Sequence, residues 1–199
     1  MFVVAALYLL RHGQTEWTVS GRHTGRTDVP LTPEGERRAR AAGRLLRELR
    51  GDTPPALVLS SPRRRALRSA ELAGLTVTDI TEEVAEWDYG DYEGLTTPEI
   101  REHVPGWRVW THPTPGGETA EAVGTRATRV VHRVRAALPA GDAIIVGHGH
   151  FSRVLIATWI AQPPSFGVHF GLEPGAVTVL GEERGAPQVV RLNLPPIDP

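Results

Sequence analysis

Arg11, His12 and Gly13 are residues whose types and order could do chemistry on an anion. They follow the apolar run from Val3 to Leu10, which is typical of a short buried strand. A guanidinium can hold an oxyanion through two parallel N–H donors, and a neutral imidazole can act as a base or a nucleophile near pH 7. We therefore interpret His12 as a nucleophile towards phosphorus. Ordinary strands also end this way, so the rest of the chain must decide between the two interpretations.

Two further predicted strands end in residues of the same kind. The apolar run from Ala56 to Leu59 stops at Ser60-Ser61-Pro62, just before three arginines, and the run from Ala143 to Val146 stops at Gly147-His148-Gly149-His150. The carboxyl ends of parallel strands meet at one rim of an open sheet. The pattern therefore predicts an anion pocket lined by guanidinium and imidazole groups, with the N–H groups of helix starts contributing.

The elements that must position these residues alternate between strand and helix, which predicts an α/β fold. We expect a three-layer sandwich, in which a mainly parallel mixed sheet has helices on both faces and a small cap over its C-terminal rim. Residues 13–31 read as a long polar loop, and the loosely patterned residues 81–117 as the cap excursion, with a short helix near Pro98–His103. The other predicted elements are helices opening at Thr32 and Pro62, a strand over Leu75–Ile80, helices over Glu118–Leu138 and Phe151–Ile160, and a hairpin pairing Val177–Leu180 with Val189–Leu192.

Composition narrows the possible chemistry. The chain has 199 residues, which suits one domain over residues 1–199, and its net charge of −1 gives no basic field for nucleic acid. All 22 basic side chains are arginine and there is no cysteine, which excludes a P-loop lysine and a thiolate nucleophile. The apolar start lacks the basic region of a signal peptide, and no stretch has the length of a membrane span, so we expect a cytoplasmic protein.

Five short motifs occur in order from about Leu7 to Leu180, over most of the chain. They are Arg11-His12-Gly13, Ser61-Pro62-x-x-Arg65-Ala66, Glu86 ahead of Gly90-x-x-Glu93-Gly94, Gly117-Glu118-Thr119, and His148-Gly149. This set resembles the histidine phosphatase (phosphoglycerate mutase-like) superfamily. The resemblance implies a metal-independent phosphomonoester hydrolase that acts on small phosphorylated metabolites through a phosphohistidine, with no cofactor.

The resemblance also implies the catalytic roles. His12 would be the nucleophile, and Arg11, Arg65 and His148 would form the phosphate pocket. Glu86 would protonate the leaving oxygen and later activate water. These roles agree with what phosphoryl transfer needs, which is in-line positioning and neutralisation of charge. Arg63 and Arg64 point away from Arg65 by the geometry of a helix, so we expect them at the surface.

Similarity to a branch of the family with broad-specificity bacterial acid phosphatases and sedoheptulose-bisphosphatase-like enzymes implies the substrate contacts. One departure is Thr18, which stands where many relatives have a phosphate-binding Asn. Arg153 would either meet a second phosphate or bond Glu93 or Glu118 as an ordinary helix-face residue. The substrate-binding residues implied in this way are Thr18, Thr24, Gly25, Tyr89, Gly149 and Arg153.

Other interpretations stay open at this stage. A phosphoglycerate mutase, an enzyme specific for one sugar bisphosphate, and an inactive phospholigand-binding module fit the same motifs. His148 and His150 could bind zinc together with His12 and His23, although a metal would occupy the lone pair that His12 needs. The tryptophans of residues 81–117 could line the pocket or form the core of the cap, and an apolar edge strand near Val177–Leu192 makes a homodimer possible.

Overall fold

A computed structural model describes residues 5–196, so Val3, Val4 and the last three residues of the predicted C-terminal tail lie outside the described residues. Thr32 caps the helix over Pro33–Arg50 as the sequence predicts, and its side chain accepts a hydrogen bond from the N–H of Gly35. The strands are β1 (Leu7–Arg11), β2 (Leu57–Ser60), β3 (Asp79–Ile80), β4 (Ala143–Gly147), β5 (Val177–Glu183) and β6 (Ala186–Leu194). The helices are α1 (Glu16–Ser20), α2 (Pro33–Arg50), α3 (Arg64–Leu72), α4 (Thr97–His103), α5 (Ala120–Ala137) and α6 (Gly149–Trp159), with short 3-10 turns at Glu82–Val84, Gly90–Tyr92, Leu138–Ala140 and Pro164–His169.

Within the described residues the strands form one mixed sheet in the order β3-β2-β4-β1-β5-β6. Strand β4 lies between β2 and β1 and is parallel to both, whereas β5 and β6 are antiparallel additions at one side. The register pairs Arg11 with Gly147, and Ser60 with Val146. The C-terminal ends of β1, β4 and β2 are therefore adjacent, which confirms the predicted rim and the mixed, mainly parallel sheet.

Alternating side chains of the sheet build a core on each face. Leu7, Leu9 and Ile145 pack with α5, α6 and the aromatic residues of the cap. Tyr8 and Leu10 pack on the opposite face with α2 and α3. Because the central strands are buried on both sides, they read as continuous apolar runs, and helices cover both faces as the three-layer prediction requires.

Two predicted elements differ from the structure. The predicted strand Leu75–Ile80 is reduced to Asp79–Ile80, because the Thr78 hydroxyl accepts from the N–H of Val58 at 2.9 Å and so takes the place of a backbone partner. The predicted loop 13–31 contains α1. This helix is stabilised by a capping box in which the side chains of Thr15 and Thr18 each accept from the other residue's N–H.

The segment between β3 and α5 corresponds to the predicted cap and includes α4, and its Glu86 contacts the first turn of α6 at the rim. Trp87, Trp107 and Trp110 are at most 7% exposed and belong to the core, which settles their role as packing residues. In the part of the chain that is described, no helix has the length and apolar character that crossing a bilayer requires.

Candidate active site

The ends of the three parallel strands bring together three residues of the predicted motifs, His12, Ser61 and His148. The N–H of His12 donates to the Gly147 carbonyl at 2.9 Å, directly before His148. The rings of these two histidines have centroids 5.1 Å apart. Ser61, at the end of β2, places its Oγ 2.7 Å from Nε2 of His148. Residues that are distant in sequence thus meet at one edge of the sheet.

His12 is held as a neutral imidazole with one free nitrogen. Its ring is 3% exposed, and burial together with the guanidinium groups of Arg65 and Arg11 holds its pKa well below 6.5. The Gly13 carbonyl is 2.7 Å from Nδ1 and can only accept, so Nδ1 carries the proton and Nε2 keeps its lone pair. Gly13 is required beside it, since a Cβ there would lie 2.2 Å from the Gly35 carbonyl oxygen.

Ser61 favours one tautomer of His148. The Ser61 Oγ accepts from the N–H of Arg63 at 3.3 Å, so its own proton is available for Nε2 of His148 at 2.7 Å. Burial and nearby cationic groups, Arg65 foremost, keep the pKa of His148 well below 6.5. A neutral ring that accepts at Nε2 must carry its proton on Nδ1, which makes Nδ1 a hydrogen-bond donor.

Arg65 is fully buried and is held by the loop that precedes α2. Its Nη1 donates to the Thr27 carbonyl and its Nη2 to the carbonyls of Thr24 and Gly25, at 2.8 to 3.1 Å. The Glu93 carboxylate accepts the N–H groups of Gly25 and Thr27 on the other side of the same loop, at 2.9 to 3.0 Å. The carbonyl groups of the loop therefore bind the Arg65 guanidinium, and its N–H groups bind the Glu93 carboxylate. Together these bonds fix the position of Arg65.

Arg11 approaches the start of α6. A Cβ at Gly149 would lie 3.3 Å from the Arg11 Cζ, so a larger residue would require the guanidinium to shift by a few tenths of an ångström. Its Nη1 donates to the Leu172 carbonyl, which anchors the side chain from the loop before β5. Arg11 and Leu172 are 161 residues apart in sequence, and no pattern in the sequence signals this contact.

Three buried N–H donors at this rim have no hydrogen-bond partner among the described residues. They are Arg11 Nε, Arg65 Nε and His148 Nδ1. The other such atom is Arg50 Nε, which lies far from the rim at the end of α2 and is 3.2 Å from the Asp142 carboxylate. Buried donors without acceptors are costly, and all three belong to residues next to His12, so a multivalent acceptor such as a phosphate beside His12 would satisfy them.

Glu86 lies against the first turn of α6. Its Oε1 accepts from the N–H groups of Trp87 and Phe151 at 2.9 and 2.8 Å, and its Oε2 accepts from the N–H of His150 at 3.0 Å. His148, which precedes the helix, provides no side-chain cap, so Glu86 caps the positive end of α6 from another segment. Oε1 accepts two hydrogen bonds, whereas Oε2 accepts one. Oε2 therefore has a lone pair left that can hold a proton.

The motif at Glu118 holds the segment that carries Glu86. The Glu118 carboxylate accepts from the N–H of Asp88 and from Arg126, and Arg126 also donates to the carbonyls of Glu83 and Ala85. These contacts fasten the backbone on both sides of Glu86 to α5. The motif in the sequence identified Glu118 as a residue of interest. Its hydrogen-bond partners, and those of Arg126, among residues 83–88 could not be inferred from the spacing of the motif.

A pocket of about 180 Å³ opens over Arg11, His12 and Glu86. Of the six predicted substrate contacts, Thr18, Thr24, Tyr89, Gly149 and Arg153 line it, whereas Gly25 does not and gives its N–H to Glu93. The Thr18 hydroxyl donates to the Thr15 carbonyl within the capping box, so it is not free to donate to a phosphate as expected. His23 and His150, which the sequence offered only as possible zinc ligands, also line the pocket, as do four residues that the sequence analysis left without a role, namely Trp17, Gly21, Arg22 and Leu172.

Arg153 bonds neither Glu93 nor Glu118. Its Nε and Nη2 donate to the carbonyls of Gly167 and Val168 at 2.9 and 3.0 Å, and its guanidinium lies 4.5 Å from the Trp110 ring centre. The interpretation of Arg153 as an acid-paired helix-face residue is therefore wrong, and its charge remains in the pocket wall.

Arg64 is exposed, as expected for a surface residue, but Arg63 is not a simple surface residue. The Arg63 Nε donates to the Gly25 carbonyl, and the guanidinium pairs with Glu82 at 3.1 Å. It therefore tethers the loop that holds Arg65. The expectation failed because the partner is a backbone carbonyl 38 residues away. Within residues 5–196, no group of three or more His, Asp or Glu side chains has an arrangement suited to a metal ion.

Comparison with known proteins gives consistent matches. The family model of the Histidine phosphatase superfamily (branch 1) matches residues 7–195 of this chain. An acid phosphatase of Mycobacterium tuberculosis is 48% identical over 188 residues, which are 94% of this chain and 92% of that protein. A solved structure of an open reading frame product from the same organism has a TM-score of 0.93 at 47% identity, covering 97% of this chain and 99% of that chain. The sedoheptulose 1,7-bisphosphatase of Saccharomyces cerevisiae is 33% identical over 178 residues, which are 76% of this chain and 66% of that enzyme.

Proposed function

Because the chain belongs to the histidine phosphatase superfamily and is a phosphatase of small phosphorylated metabolites, we propose that its reaction proceeds through a phosphohistidine on His12. The observation that carries this proposal is the cluster of buried donors without partners, Arg11 Nε, Arg65 Nε and His148 Nδ1. A phosphate group supplies acceptor oxygens for all of them. It would bind with its phosphorus facing Nε2 of His12.

The proposed first step is an in-line displacement. The lone pair on Nε2 of His12 forms a bond to phosphorus, the bond from phosphorus to the ester oxygen breaks, and the leaving oxygen takes a proton from Oε2 of Glu86. In the second step, Glu86 takes a proton from a water molecule, and the resulting hydroxide displaces His12 from phosphorus. Arg11, Arg65 and His148 donate to the equatorial oxygens throughout, which stabilises the charge of the transition state.

The substrate is proposed to be a small alcohol phosphate. The M. tuberculosis relative is an acid phosphatase and the yeast relative a sugar bisphosphatase, and this chain has the cationic Arg153 in its pocket wall. Arg153 lies where a second phosphate of the substrate could bind. A cytoplasmic location and a homodimer through β6, which has a strand partner on only one side among the described residues, both stay predictions.

The direct test is an assay of released inorganic phosphate with a panel of monoesters, before and after exhaustive treatment with EDTA. We expect hydrolysis to survive chelation, because guanidinium and imidazole groups neutralise the phosphate. Loss of activity on chelation, restored by a divalent metal, would show that the mechanism is wrong. Interconversion of 2- and 3-phosphoglycerate with a bisphosphate primer, without net phosphate release, would identify a mutase instead.

We expect kcat/KM and the free energy of unfolding to depend differently on pH. His12 reacts as the neutral ring, and its pKa lies well below 6.5, so protonation of His12 should not lower kcat/KM until well below pH 6.5. His12, His148 and His150 have pKa values well below 6.5 and His23 has a pKa of about 4, whereas all four titrate near 6.5 in the unfolded chain. The contribution of these four histidines to the free energy of unfolding is therefore complete above pH 6.5. Below pH 6.5 it falls by up to about 1.4 kcal/mol per pH unit for each histidine.

Urea unfolding at several pH values between 7.5 and 4.5, beside kcat/KM on one substrate, measures both effects. The His23→Gln variant provides an internal control, since it removes one of the four titrating groups and should reduce the slope of stability against pH. An acid limb of kcat/KM that stays at pH 6.5 for esters whose own phosphate pKa differs, in protein that is still folded, would contradict the neutral, buried state of His12.

A further inference from the structure

His150 is a half-buried histidine in the pocket wall that the steps proposed above do not use. The ring Nδ1 lies 2.6 Å from the Tyr89 hydroxyl, and the backbone N–H of His150 donates to Glu86 Oε2 at 3.0 Å. The rings of Trp110, Tyr89 and His23 surround it, with centroid distances of 5.1, 5.8 and 5.9 Å. These contacts hold the ring in one position beside Glu86, whereas Nε2 has no hydrogen-bond partner among the described residues.

The pair formed by Tyr89 and His150 carries no charge. Burial, with Arg153 as the next cause, keeps the pKa of His150 well below 6.5, and burial with the nearby Glu86 raises the pKa of Tyr89 well above 10. Arg11 and His23 also face His150. A neutral imidazole has one donor and one acceptor nitrogen. When Tyr89 donates to Nδ1, Nε2 is a donor; when Nδ1 donates to the phenol oxygen, Nε2 is an acceptor.

We propose that His150, oriented by Tyr89, binds a hydroxyl group on the alcohol part of the substrate. A neutral pair cannot balance a second phosphate, whereas a hydroxyl both donates and accepts and so satisfies Nε2 in either tautomer. The neighbouring Glu86 is the proposed proton donor to the ester oxygen, so the hydroxyl lies near that oxygen. The inference rests on the proposed function and makes the substrates phosphate monoesters of small polyhydroxy alcohols, including sugars.

The test compares kcat/KM for glycerol 3-phosphate and n-propyl phosphate, which have the same carbon chain with and without two hydroxyls. For the wild-type protein we expect a ratio of about ten or more in favour of glycerol 3-phosphate, the value of one good hydrogen bond. His150→Asn keeps an amide at the position of Nδ1 but has nothing at Nε2, so its ratio should fall close to one. His150→Gln places an amide near the position of Nε2 and should restore part of the ratio.

His132→Asn, a substitution of an exposed histidine on α5, is the matched control and should keep the wild-type ratio. If His150→Asn lowers kcat/KM equally for both substrates, His150 only supports the fold and the inference is overturned. A wild-type ratio of one also overturns it and leaves the phosphatase mechanism intact. If the wild-type protein releases phosphate from no ester of the panel described above, the proposed function is wrong as well, so the two failures are distinguishable.

Discussion

Replacing His12 by alanine is expected to lower kcat/KM on any phosphate monoester by about 10⁴-fold or more. Alanine provides no atom that can bond to phosphorus, so the reaction would have to proceed by direct attack of water. Arg11, Arg65 and His148 would still bind the substrate. The variant should therefore retain affinity for inorganic phosphate, measured as a phosphate-dependent rise in melting temperature, while turnover is lost.

His12 is almost fully buried, and truncation to alanine could disturb the fold. The variant His12→Asn avoids this difficulty, because its amide nitrogen stands near the position of Nδ1 and can still donate to the Gly13 carbonyl. It lacks Nε2. We expect the same loss of kcat/KM from this variant with a melting temperature close to that of the wild-type protein, and no loss from the surface substitution His132→Asn.

The covalent intermediate gives a second measurement. Rapid acid-free quenching of wild-type protein with a ³²P-labelled monoester should leave label on the chain that is stable in alkali and lost in acid, as expected for a bond from phosphorus to nitrogen. His12→Asn should carry no label. If folded His12→Asn protein kept a tenth of the wild-type turnover, another group would be the nucleophile. If the wild-type protein bound phosphate without any turnover, it would be a binding module.

The central part of the site can be predicted from sequence because its residues directly follow buried strands. Strand β4 is covered by helices on both faces and therefore reads as an uninterrupted apolar run, so the position of His148 at its end is evident. The same holds for His12 after β1. Motif order then selects Arg65 among three consecutive arginines, and the structure buries Arg65 while Arg64 is exposed.

The contacts that orient these groups could not be predicted, because they join side chains to backbone atoms far away in sequence. Arg65 bonds the carbonyl of Thr24, 41 residues earlier, and the loop that carries it is fixed by Glu93. Thr18 illustrates a local failure of the same kind. Its position suggested a phosphate ligand, but the hydroxyl forms a capping box with Thr15, which sequence spacing does not distinguish from a free side chain.

Replacing Glu86 by glutamine is expected to lower kcat/KM by about 10²- to 10⁴-fold for alkyl phosphates, the usual contribution of a general acid. An alkoxide is a poor leaving group and needs a proton as the bond to phosphorus breaks. Nitrophenolate leaves readily as an anion, so the loss for p-nitrophenyl phosphate should be much smaller. Plotting log kcat/KM against the pKa of the leaving alcohol should give a steeper slope for Glu86→Gln than for the wild-type protein.

The hydrogen bonds of Glu86 determine how this result must be controlled. Glutamine can keep Oε1 as the acceptor for Trp87 and Phe151, but its amide would face the N–H of His150, which destabilises the first turn of α6. A structural defect of that kind would lower kcat/KM equally for every leaving group. Glu83→Gln is the matched control, since Glu83 lies on the same segment and pairs with Arg129 away from the pocket.

An equal loss for alkyl and nitrophenyl phosphates would assign Glu86 to capping α6 and would require another proton donor. A loss confined to poor leaving groups, with Glu83→Gln unaffected, would assign the proton to Oε2, the carboxylate oxygen that has a single backbone donor. The distinction follows from charge. A cap stabilises the folded site before any substrate binds, whereas a general acid contributes only in proportion to the charge that develops on the leaving oxygen.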